Sequence, residues 1–279
     1  MIQHLLLCTD LDRTLLPNGP QPESPQARKR FSALVSLPQV TLVYVTGRHL
    51  ELIDEAIAEY QLPVPKFIIA DVGSTIYTNK SGKFLHWRQW DVRIAPDWAG
   101  KTHANLVALF SDLSGLDLQE PEKQGTYKLS YYLSPGVGNE TVIAEMKTRL
   151  DDSAIRANLV FSVDEMAGTG LLDVLPRGAG KQQAIEFLMA SEGFALDETV
   201  FCGDSGNDLA VLASPIQAVL VANASPDVRQ MAIQQADTTG YSQALYVAGG
   251  GYQGMNGNYS AGILEGVMHY IPQVQDWLG

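Results

Sequence analysis

The stretch LLLCTDLDRTLLPNG, residues 5–19, carries a short apolar run directly into two aspartates, Asp10 and Asp12, which stand one residue apart. An apolar run of this length predicts a buried β-strand, so the aspartates are expected at the end of a core strand. Two carboxylates on such a rigid platform repel each other. The sequence therefore predicts a chemical task at this strand end that uses both of them.

Short β-rich runs alternate with amphipathic stretches along the first 80 residues. Residues 5–9, 40–45 and 67–70 are apolar and partly β-branched, as buried strands are. The segments between them place apolar residues at helical spacing with charged residues on the opposite face. Strand–helix–strand order at these lengths predicts a parallel α/β sheet. Further predicted strands of the C-terminal half occupy residues 171–176, 199–203 and 218–223.

The middle of the chain has a different pattern. Residues 83–90, 125–133 and 156–163 alternate apolar with polar or aromatic residues, as half-exposed strands do, and helical stretches separate them. The predicted fold is a Rossmann-like α/β core with a parallel sheet, interrupted by an inserted α+β domain. The core is assigned to residues 1–80 and 168–279, and the insertion to residues 81–167.

Composition restricts the function classes. The 279-residue chain is 46% hydrophobic and carries a formal net charge of -12, which argues against sequence-independent binding of nucleic acid. No apolar run is long enough for a membrane helix, and the N-terminal run lacks the features of a signal peptide. The two cysteines, Cys8 and Cys202, lie in apolar runs and are interpreted as core residues. A cytoplasmic protein that binds neither nucleic acid nor membranes is expected.

Four motifs lie at predicted strand ends or helix starts: residues 9–14, residues 45–48, Lys181 and residues 202–208. In an open parallel sheet, the carboxyl ends of the strands share one edge, and ligands bind there. The motifs are therefore expected to meet. Their four aspartates could not all stay ionised together without a cation, and a hard, oxygen-ligated ion such as Mg²⁺ would resolve this repulsion. These aspartates are Asp10, Asp12, Asp204 and Asp208.

The other two motifs suit a phosphoryl group. Thr46 and Gly47 offer a hydroxyl and backbone N–H groups that a ligand can approach closely, at a predicted helix N-terminus. Lys181 supplies a positive charge opposite the metal, where it could neutralise a phosphoryl group in transfer. Each motif alone is weak evidence for a function, whereas the four together indicate phosphoryl transfer.

The set DxDxT, T-G-R, Lys and GDxxxD resembles the haloacid dehalogenase (HAD) superfamily of aspartyl phosphotransferases, and it covers the whole core. The long insertion resembles the C2-type cap of that superfamily. Within it, the chain resembles the sucrose-phosphate phosphatases, through residues 71–77, 128–133, 171–176, 219–224 and 260–266. Arg13 departs from the family pattern, in which this position is often Gly or Asn.

The resemblance implies roles for individual residues. Asp10 would be the nucleophile that forms an aspartyl-phosphate, and Asp12 would protonate the leaving alcohol and then activate water. Mg²⁺ would be held by Asp10, the backbone carbonyl of Asp12 and Asp204, with Asp208 in support. Thr46 and Lys181 would bind the phosphoryl group. The implied or suggested substrate contacts are Gly47, Arg48, Ser74, Lys128, Ser130, Asn207 and Asn223.

The expected function is Mg²⁺-dependent hydrolysis of a sugar phosphate, sucrose 6-phosphate first. Phosphates of mannosylfructose, glucosylglycerol or mannosylglycerate are alternative substrates. A phosphohexomutase and a non-catalytic sugar-phosphate-binding module are the other functions considered. The synthase that makes the substrate is a candidate partner.

Overall fold

A computed structural model describes residues 2–134, 139–164 and 168–278 of the chain. In this part of the chain the strands form an eight-stranded sheet and a four-stranded sheet. The strands are β1 (Leu5–Thr9), β2 (Val40–Val45), β3 (Phe67–Ala70), β4 (Thr75–Lys80), β5 (Lys83–His86), β6 (Leu116–Leu118), β7 (Leu129–Leu133), β8 (Ala157–Asp164), β9 (Thr169–Pro176), β10 (Thr199–Gly203), β11 (Gln217–Leu220) and β12 (Leu245–Val247). The helices are α1 (Ala27–Val35), α2 (Leu50–Tyr60), α3 (Arg88–Ile94), α4 (His103–Phe110), α5 (Asn139–Asp152), α6 (Lys181–Glu192), α7 (Leu209–Leu212), α8 (Pro226–Thr239), α9 (Ser260–Tyr270) and α10 (Val274–Leu278).

The larger sheet has the order β12-β11-β10-β1-β2-β3-β4-β5. The first six strands of this order are parallel, and β4 and β5 continue the sheet as an antiparallel hairpin. Helices cover both faces of this sheet, because alternate residues of β1 pack into two different clusters of buried apolar residues. Leu5 and Leu7 pack with α1, α2 and α9, whereas Leu6 and Cys8 pack with α3, α6 and α8. We call this sheet with its helices the core unit.

The smaller sheet has the order β6-β7-β9-β8, and all of its strands are antiparallel. Helices α4 and α5 cover it through a separate cluster of buried residues that includes Phe110, Met146 and Leu172. We call this sheet with α4 and α5 the cap unit. The predicted fold class, a parallel α/β core with an inserted α+β domain, is confirmed.

The boundaries of the insertion differ from the predicted ones. Residues 83–90 were assigned to the cap, but β5 pairs with β4 at the edge of the larger sheet, and Trp90 of α3 packs in the core unit. Residues 168–176 were assigned to the core, but β9 pairs with β7 and β8 in the cap sheet. Alternation along a strand is local and does not specify the partner strand, which is why both ends of the insertion were misplaced.

Both cysteines are free and fully buried in the core unit, as predicted. Cys202 on β10 lies in register with Thr9 on β1, so the two thiols belong to the tightly packed centre of the sheet. Burial raises the pKa of the Cys8 thiol. Such thiols behave as small apolar side chains.

Candidate active site

Four parallel strands of the larger sheet end at one edge, and polar residues follow them directly. Asp10 follows β1, Thr46 follows β2, Asp71 follows β3 and Asp204 follows β10. Lys181 is the first residue of α6. Because the carboxyl ends of parallel strands meet at one edge, this arrangement brings together motifs that are far apart in sequence.

Lys181 lies at the centre of this edge and is only 3% exposed. Its ammonium group donates to Oδ1 of Asp10 at 2.9 Å, to Oδ1 of Asp208 at 2.7 Å and to Oδ1 of Asn207 at 2.8 Å. An ammonium group has three protons, so these acceptors use its full hydrogen-bonding capacity. The buried cation thereby holds two carboxylates from different motifs side by side.

Carboxylate oxygens of Asp10, Asp204 and Asp208 lie within 4.8 Å of one another. Thr14, the last residue of the DxDxT motif, donates its hydroxyl to Oδ1 of Asp204 at 3.1 Å. Oδ2 of Asp208 accepts from the backbone N–H groups of Asp204 and Ser205, both at 3.0 Å. Buried carboxylate oxygens this close together form a donor set that suits a hard divalent cation.

Burial and mutual repulsion dominate the electrostatics of the cluster. Burial raises the pKa of Asp10, the charge of Lys181 opposes this, and the carboxylates of Asp208 and Asp204 raise the pKa further. Burial, together with Asp208, raises the pKa of Asp204 to about 7. For Lys181, burial lowers the pKa, but the charges of Asp10 and Asp208 outweigh it and the pKa is raised. A single ammonium group therefore does not fully compensate the buried acids.

Asp12 lies outside this cluster of oxygens and contacts a different partner. Arg48 forms a two-pronged ion pair with its carboxylate, from Nε to Oδ2 at 2.8 Å and from Nη2 to Oδ1 at 2.6 Å. Asn18 adds a hydrogen bond to Oδ1 at 2.8 Å. Burial raises the pKa of Asp12, but the hydrogen bonds and charge of Arg48 outweigh burial, so the pKa is lowered. The side chain of Asp12 is a carboxylate in this arrangement.

The loop after β2 carries Thr46 and Gly47, the residues that the sequence assigns to the phosphoryl group. Thr46 is buried, and its Oγ1 accepts from the backbone N–H of Arg48 at 3.2 Å. A Cβ added to Gly47 would meet only Cγ2 of Val72, at the ordinary contact distance of 3.7 Å. The fold itself does not require glycine at this position, and close approach of a ligand provides a reason for it.

The remaining predicted substrate contacts are dispersed. Ser74 is buried beside the core edge, and its hydroxyl donates to the carbonyl of Asp71 at 3.0 Å. The side-chain amide of Asn223 binds the backbone of two different segments. It donates to the carbonyl of Arg13 at 2.6 Å and accepts from the N–H of Tyr259 at 2.8 Å. This amide holds the DxDxT loop against the segment before α9, so its polar groups are used within the fold.

Lys128 and Ser130 were expected to share a face that looks towards the substrate. Lys128 lies just before β7, with its Nζ 3.6 Å from Oδ1 of Asp71 in the core unit. Ser130 is fully buried in the cap sheet, where its hydroxyl donates to Asp173 on β9 and to the carbonyl of Lys123. Ser130 therefore stabilises strand pairing within the cap, while Lys128 contacts the core unit.

Two residues of the site were missed from the sequence. Asn18 fixes the carboxylate of Asp12, but a lone Asn in a loop gives no local signal of such a contact. Asp71 lies at the core edge, with its carboxylate 3.6 Å from Nζ of Lys128. In the sequence, residues 71–77 served only as a stretch that resembles the family, and no role was predicted for Asp71. The contact between Asp71 and Lys128 joins segments that are distant in sequence, and a single sequence does not reveal such a pair.

The glycine-rich segment at 249–257 is held by one buried acid. Glu265 of α9 is 7% exposed, and it accepts from the backbone N–H groups of Gly249 and Gly250, both at 2.9 Å. It also accepts from the hydroxyl of Tyr246 at 2.8 Å. Asn256 connects the same segment to Ser24 through two hydrogen bonds. This loop is thus fixed against the chain that follows the DxDxT motif.

A model of the family of sucrose-6F-phosphate phosphohydrolases matches residues 3–271. The chain belongs to this family. It is 51% identical over 278 residues to a chain from Nitrosococcus oceani that is named as a HAD-like hydrolase, covering 100% of this chain and 75% of that one. It is 30% identical over 233 residues to the mannosylfructose-phosphate phosphatase of Agrobacterium fabrum, covering 82% of this chain and 87% of that enzyme. The chain spans about half the length of other curated relatives it matches.

Among solved structures, the sucrose-phosphatase of Synechocystis sp. PCC6803 in complex with sucrose and phosphate is similar over 97% of this chain and 98% of that one. The TM-score is 0.78 at 26% sequence identity. Membership of the HAD superfamily and the class of sugar-phosphate phosphatase are thereby confirmed.

Within the described residues, no helix combines the length and apolar character needed to cross a bilayer.

Proposed function

We propose that this chain is a Mg²⁺-dependent phosphomonoester hydrolase that works through an aspartyl-phosphate on Asp10, with sucrose 6-phosphate as its first candidate substrate. The observation that carries the proposal is the buried ammonium group of Lys181 between Asp10 and Asp208. A carboxylate that attacks phosphorus needs a neighbouring cation to stay ionised and to neutralise the transferred group. Thr46 at the end of the adjacent strand supplies a hydroxyl for the phosphoryl oxygens.

In the first half of the reaction, a carboxylate oxygen of Asp10 forms a bond to phosphorus while the bond from phosphorus to the sugar oxygen breaks. The departing alcohol takes a proton from Asp12. In the second half, Asp12 takes a proton from water, whose oxygen attacks the phosphorus and releases inorganic phosphate and the free carboxylate of Asp10. Each proton and each bond is accounted for by these two side chains and one water molecule.

The contact between Arg48 and Asp12 fits the second half of this reaction. With its pKa lowered by Arg48, Asp12 is ionised and able to accept the proton of water. For the first half, it must hold a proton, which requires that Arg48 release it when a phosphoryl group offers an alternative anion. Arg48 would then move between Asp12 and the substrate, in agreement with its predicted role as a substrate contact.

The donor set at the core edge fits a magnesium ion. The buried oxygens of Asp10, Asp204 and Asp208 would hold it, and the backbone carbonyl of Asp12 is the further expected ligand. When bound, such an ion supplies positive charge that screens the repulsion between the acids and draws electron density from the phosphoryl oxygens. The residues themselves provide the attack, the proton transfer and the binding of the phosphoryl group.

The names of the relatives support a glycoside phosphate as substrate. One solved relative holds sucrose and phosphate, and another relative is named for mannosylfructose phosphate. Sucrose 6-phosphate is therefore proposed first and mannosylfructose phosphate second. Association with the cognate synthase and a cytoplasmic location stay predictions.

The test is phosphate release from a panel of sugar phosphates, with and without Mg²⁺, by the wild type and by Asp10→Asn. Sucrose 6-phosphate is expected to be hydrolysed far faster than glucose 6-phosphate or fructose 6-phosphate, and the variant is expected to be inactive. A higher rate on another glycoside phosphate would retain the chemistry and change the substrate. Release that persists in Asp10→Asn, or no release from any phosphate ester, would refute the proposal.

A further inference from the structure

Arg13, between Asp12 and Thr14 of the DxDxT motif, has a backbone conformation that arginine does not favour. Its φ is +58°, in the left-handed region. Glycine adopts this region without steric cost and asparagine visits it readily, whereas other residues with a Cβ adopt it only at a cost. The backbone alone therefore gives no reason for arginine at this position, so the reason has to lie in its side chain.

Two side-chain amides fix this backbone conformation. The N–H of Arg13 donates to Oδ1 of Asn18 at 2.8 Å, and the carbonyl of Arg13 accepts from Nδ2 of Asn223 at 2.6 Å. Both amides are themselves held, because Asn18 also donates to Asp12 and Asn223 also accepts from the N–H of Tyr259. A strained conformation persists where its surroundings enforce it in this way. The direction in which the side chain of Arg13 leaves the loop is thereby set.

The side chain of Arg13 reaches the acid cluster. Its Nε lies 3.7 Å from Oδ2 of Asp204. The other carboxylate oxygen of Asp204, Oδ1, accepts from the hydroxyl of Thr14 at 3.1 Å. The side chain of Asp204 is only 4% exposed, and that of Arg13 is 25% exposed. Water therefore screens this pair of charges only weakly.

The loop that follows the motif leaves room for the guanidino group. A Cβ added to Gly19 would lie 2.8 Å from the hydroxyl oxygen of Tyr259 and 3.5 Å from Nε of Arg13. The first distance is shorter than real Cβ contacts allow. The absence of a side chain at Gly19 thus allows the loop to pack beside Arg13 and Tyr259 together.

Arg13 and Lys181 divide the acids of the proposed metal site between them. Lys181 donates to Asp10 and Asp208, whereas Arg13 lies beside Asp204. A divalent ion held by these acids would come close to the guanidinium, and like charges repel. The charge of Arg13 is therefore favourable beside Asp204 when no ion is bound and unfavourable when one is bound.

We propose that Arg13 is a positioning residue of the metal site that weakens the binding of Mg²⁺, because it compensates the charge of Asp204 in the metal-free protein and repels the bound ion. This inference rests on the proposed function, which includes that ion. The two effects are linked. Whatever Arg13 adds to the stability of the metal-free fold beyond that of the metal-bound fold, it removes from the affinity for the ion.

The first test is calorimetric titration of the full chain with MgCl₂. Arg13→Gln keeps a Cβ and a long side chain, so the backbone strain is retained and only the charge is lost. Its Kd for Mg²⁺ should be about tenfold lower than that of the wild type, which corresponds to about 1.4 kcal/mol. Arg13→Lys keeps the charge and should bind Mg²⁺ as the wild type does. Arg30→Gln, at an exposed position of α1, is the matched control and should leave the Kd unchanged.

The second test is urea unfolding, in EDTA and in saturating Mg²⁺. In EDTA, Arg13→Gln should unfold at a lower urea concentration than the wild type, because Asp204 loses its neighbouring cation. In saturating Mg²⁺, the difference in the free energy of unfolding should shrink by the amount that the tighter binding supplies. An arginine with only a structural role would lower the stability equally under both conditions.

The outcomes separate this inference from the proposed function. If Arg13→Gln binds Mg²⁺ no more tightly than the wild type, or is destabilised equally in EDTA and in Mg²⁺, the inference is overturned and the phosphatase proposal stands. Equal tightening in Arg30→Gln or in Arg13→Lys would also overturn it, because the effect would then not come from the charge beside Asp204. If the wild type neither binds Mg²⁺ nor needs it for phosphate release, the proposed Mg²⁺-dependent function fails, and this inference fails with it.

Discussion

Replacement of Gly73 by alanine should separate two parts of the active site that pack backbone against backbone. Gly73 has φ +96°, and a Cβ added to it would lie 2.2 Å from the carbonyl carbon of Gly180 and 2.6 Å from the backbone nitrogen of Lys181. These are main-chain atoms, so no side-chain rotation relieves the overlap. The carbonyl of Gly73 is also held, by the indole N–H of Trp90 at 3.1 Å. The strand β3 segment and the start of α6 would therefore move apart.

The expected cost has two parts. Positive φ in a residue with a Cβ costs about 1–2 kcal/mol. Overpacking of a filled interior typically costs a further 1–3 kcal/mol or so. Gly73→Ala should thus lower the free energy of unfolding by about 2–5 kcal/mol, a large share of the stability of a typical domain. Lys181 lies at the displaced helix start, and a shift of about 1 Å can reduce kcat/KM on the order of a hundredfold.

Gly82→Ala is the matched control. Gly82 has φ +83° in the turn between β4 and β5, and a Cβ there would meet nothing within 4 Å. Gly82→Ala should lower the free energy of unfolding only by the conformational cost of about 1–2 kcal/mol, and it should hydrolyse phosphate esters at the rate of the wild type. Urea unfolding with a constant m-value and phosphate release under saturating Mg²⁺ would measure both effects. Equal stability and equal activity of the two variants would refute the packing argument.

Three further outcomes follow from the buried charges. Lys181→Met should lower stability by about 3–5 kcal/mol in thermal or urea unfolding, because Asp10 and Asp208 lose their shared cation, and it should abolish phosphate release; activity within tenfold of wild type would contradict the site. Glu265→Ala should lower stability by about 2–4 kcal/mol, since two backbone N–H groups of the glycine-rich loop lose a charged acceptor; an unchanged urea midpoint would count against this. Chelation by EDTA should stop phosphate release and added Mg²⁺ should restore it, whereas full activity in EDTA would exclude a divalent ion.

Much of the core unit was predictable because its signals are local. The buried runs at 5–9, 40–45 and 67–70 are strands with the predicted bounds. The parallel arrangement then follows from the helices between them, and it places residues after β1, β2 and β10 at one edge. For this reason, the cluster of Asp10, Lys181 and Asp208 could be expected from the sequence alone.

The cap boundaries could not be derived in the same way. A strand such as β5 or β9 has the same alternation of apolar and polar residues whichever sheet it joins. The sheet that it joins is set by pairing with other strands, some of them far away in the chain. The core ends later and resumes later than the sequence suggested, because β5 completes the larger sheet and β9 lies between β7 and β8.

The sequence by itself determined the fold class and named the candidate reacting groups, since apolar periodicity and strand-end motifs depend on neighbouring residues only. The tertiary structure decided how those groups are paired: Asp12 with Arg48, Ser130 with Asp173 and Asp71 with Lys128. Such pairs form where distant segments are packed within a few ångströms, and at that range burial and charge set which group is ionised. The candidate reacting groups could thus be named from the sequence, whereas the contacts between them exist only in the folded chain.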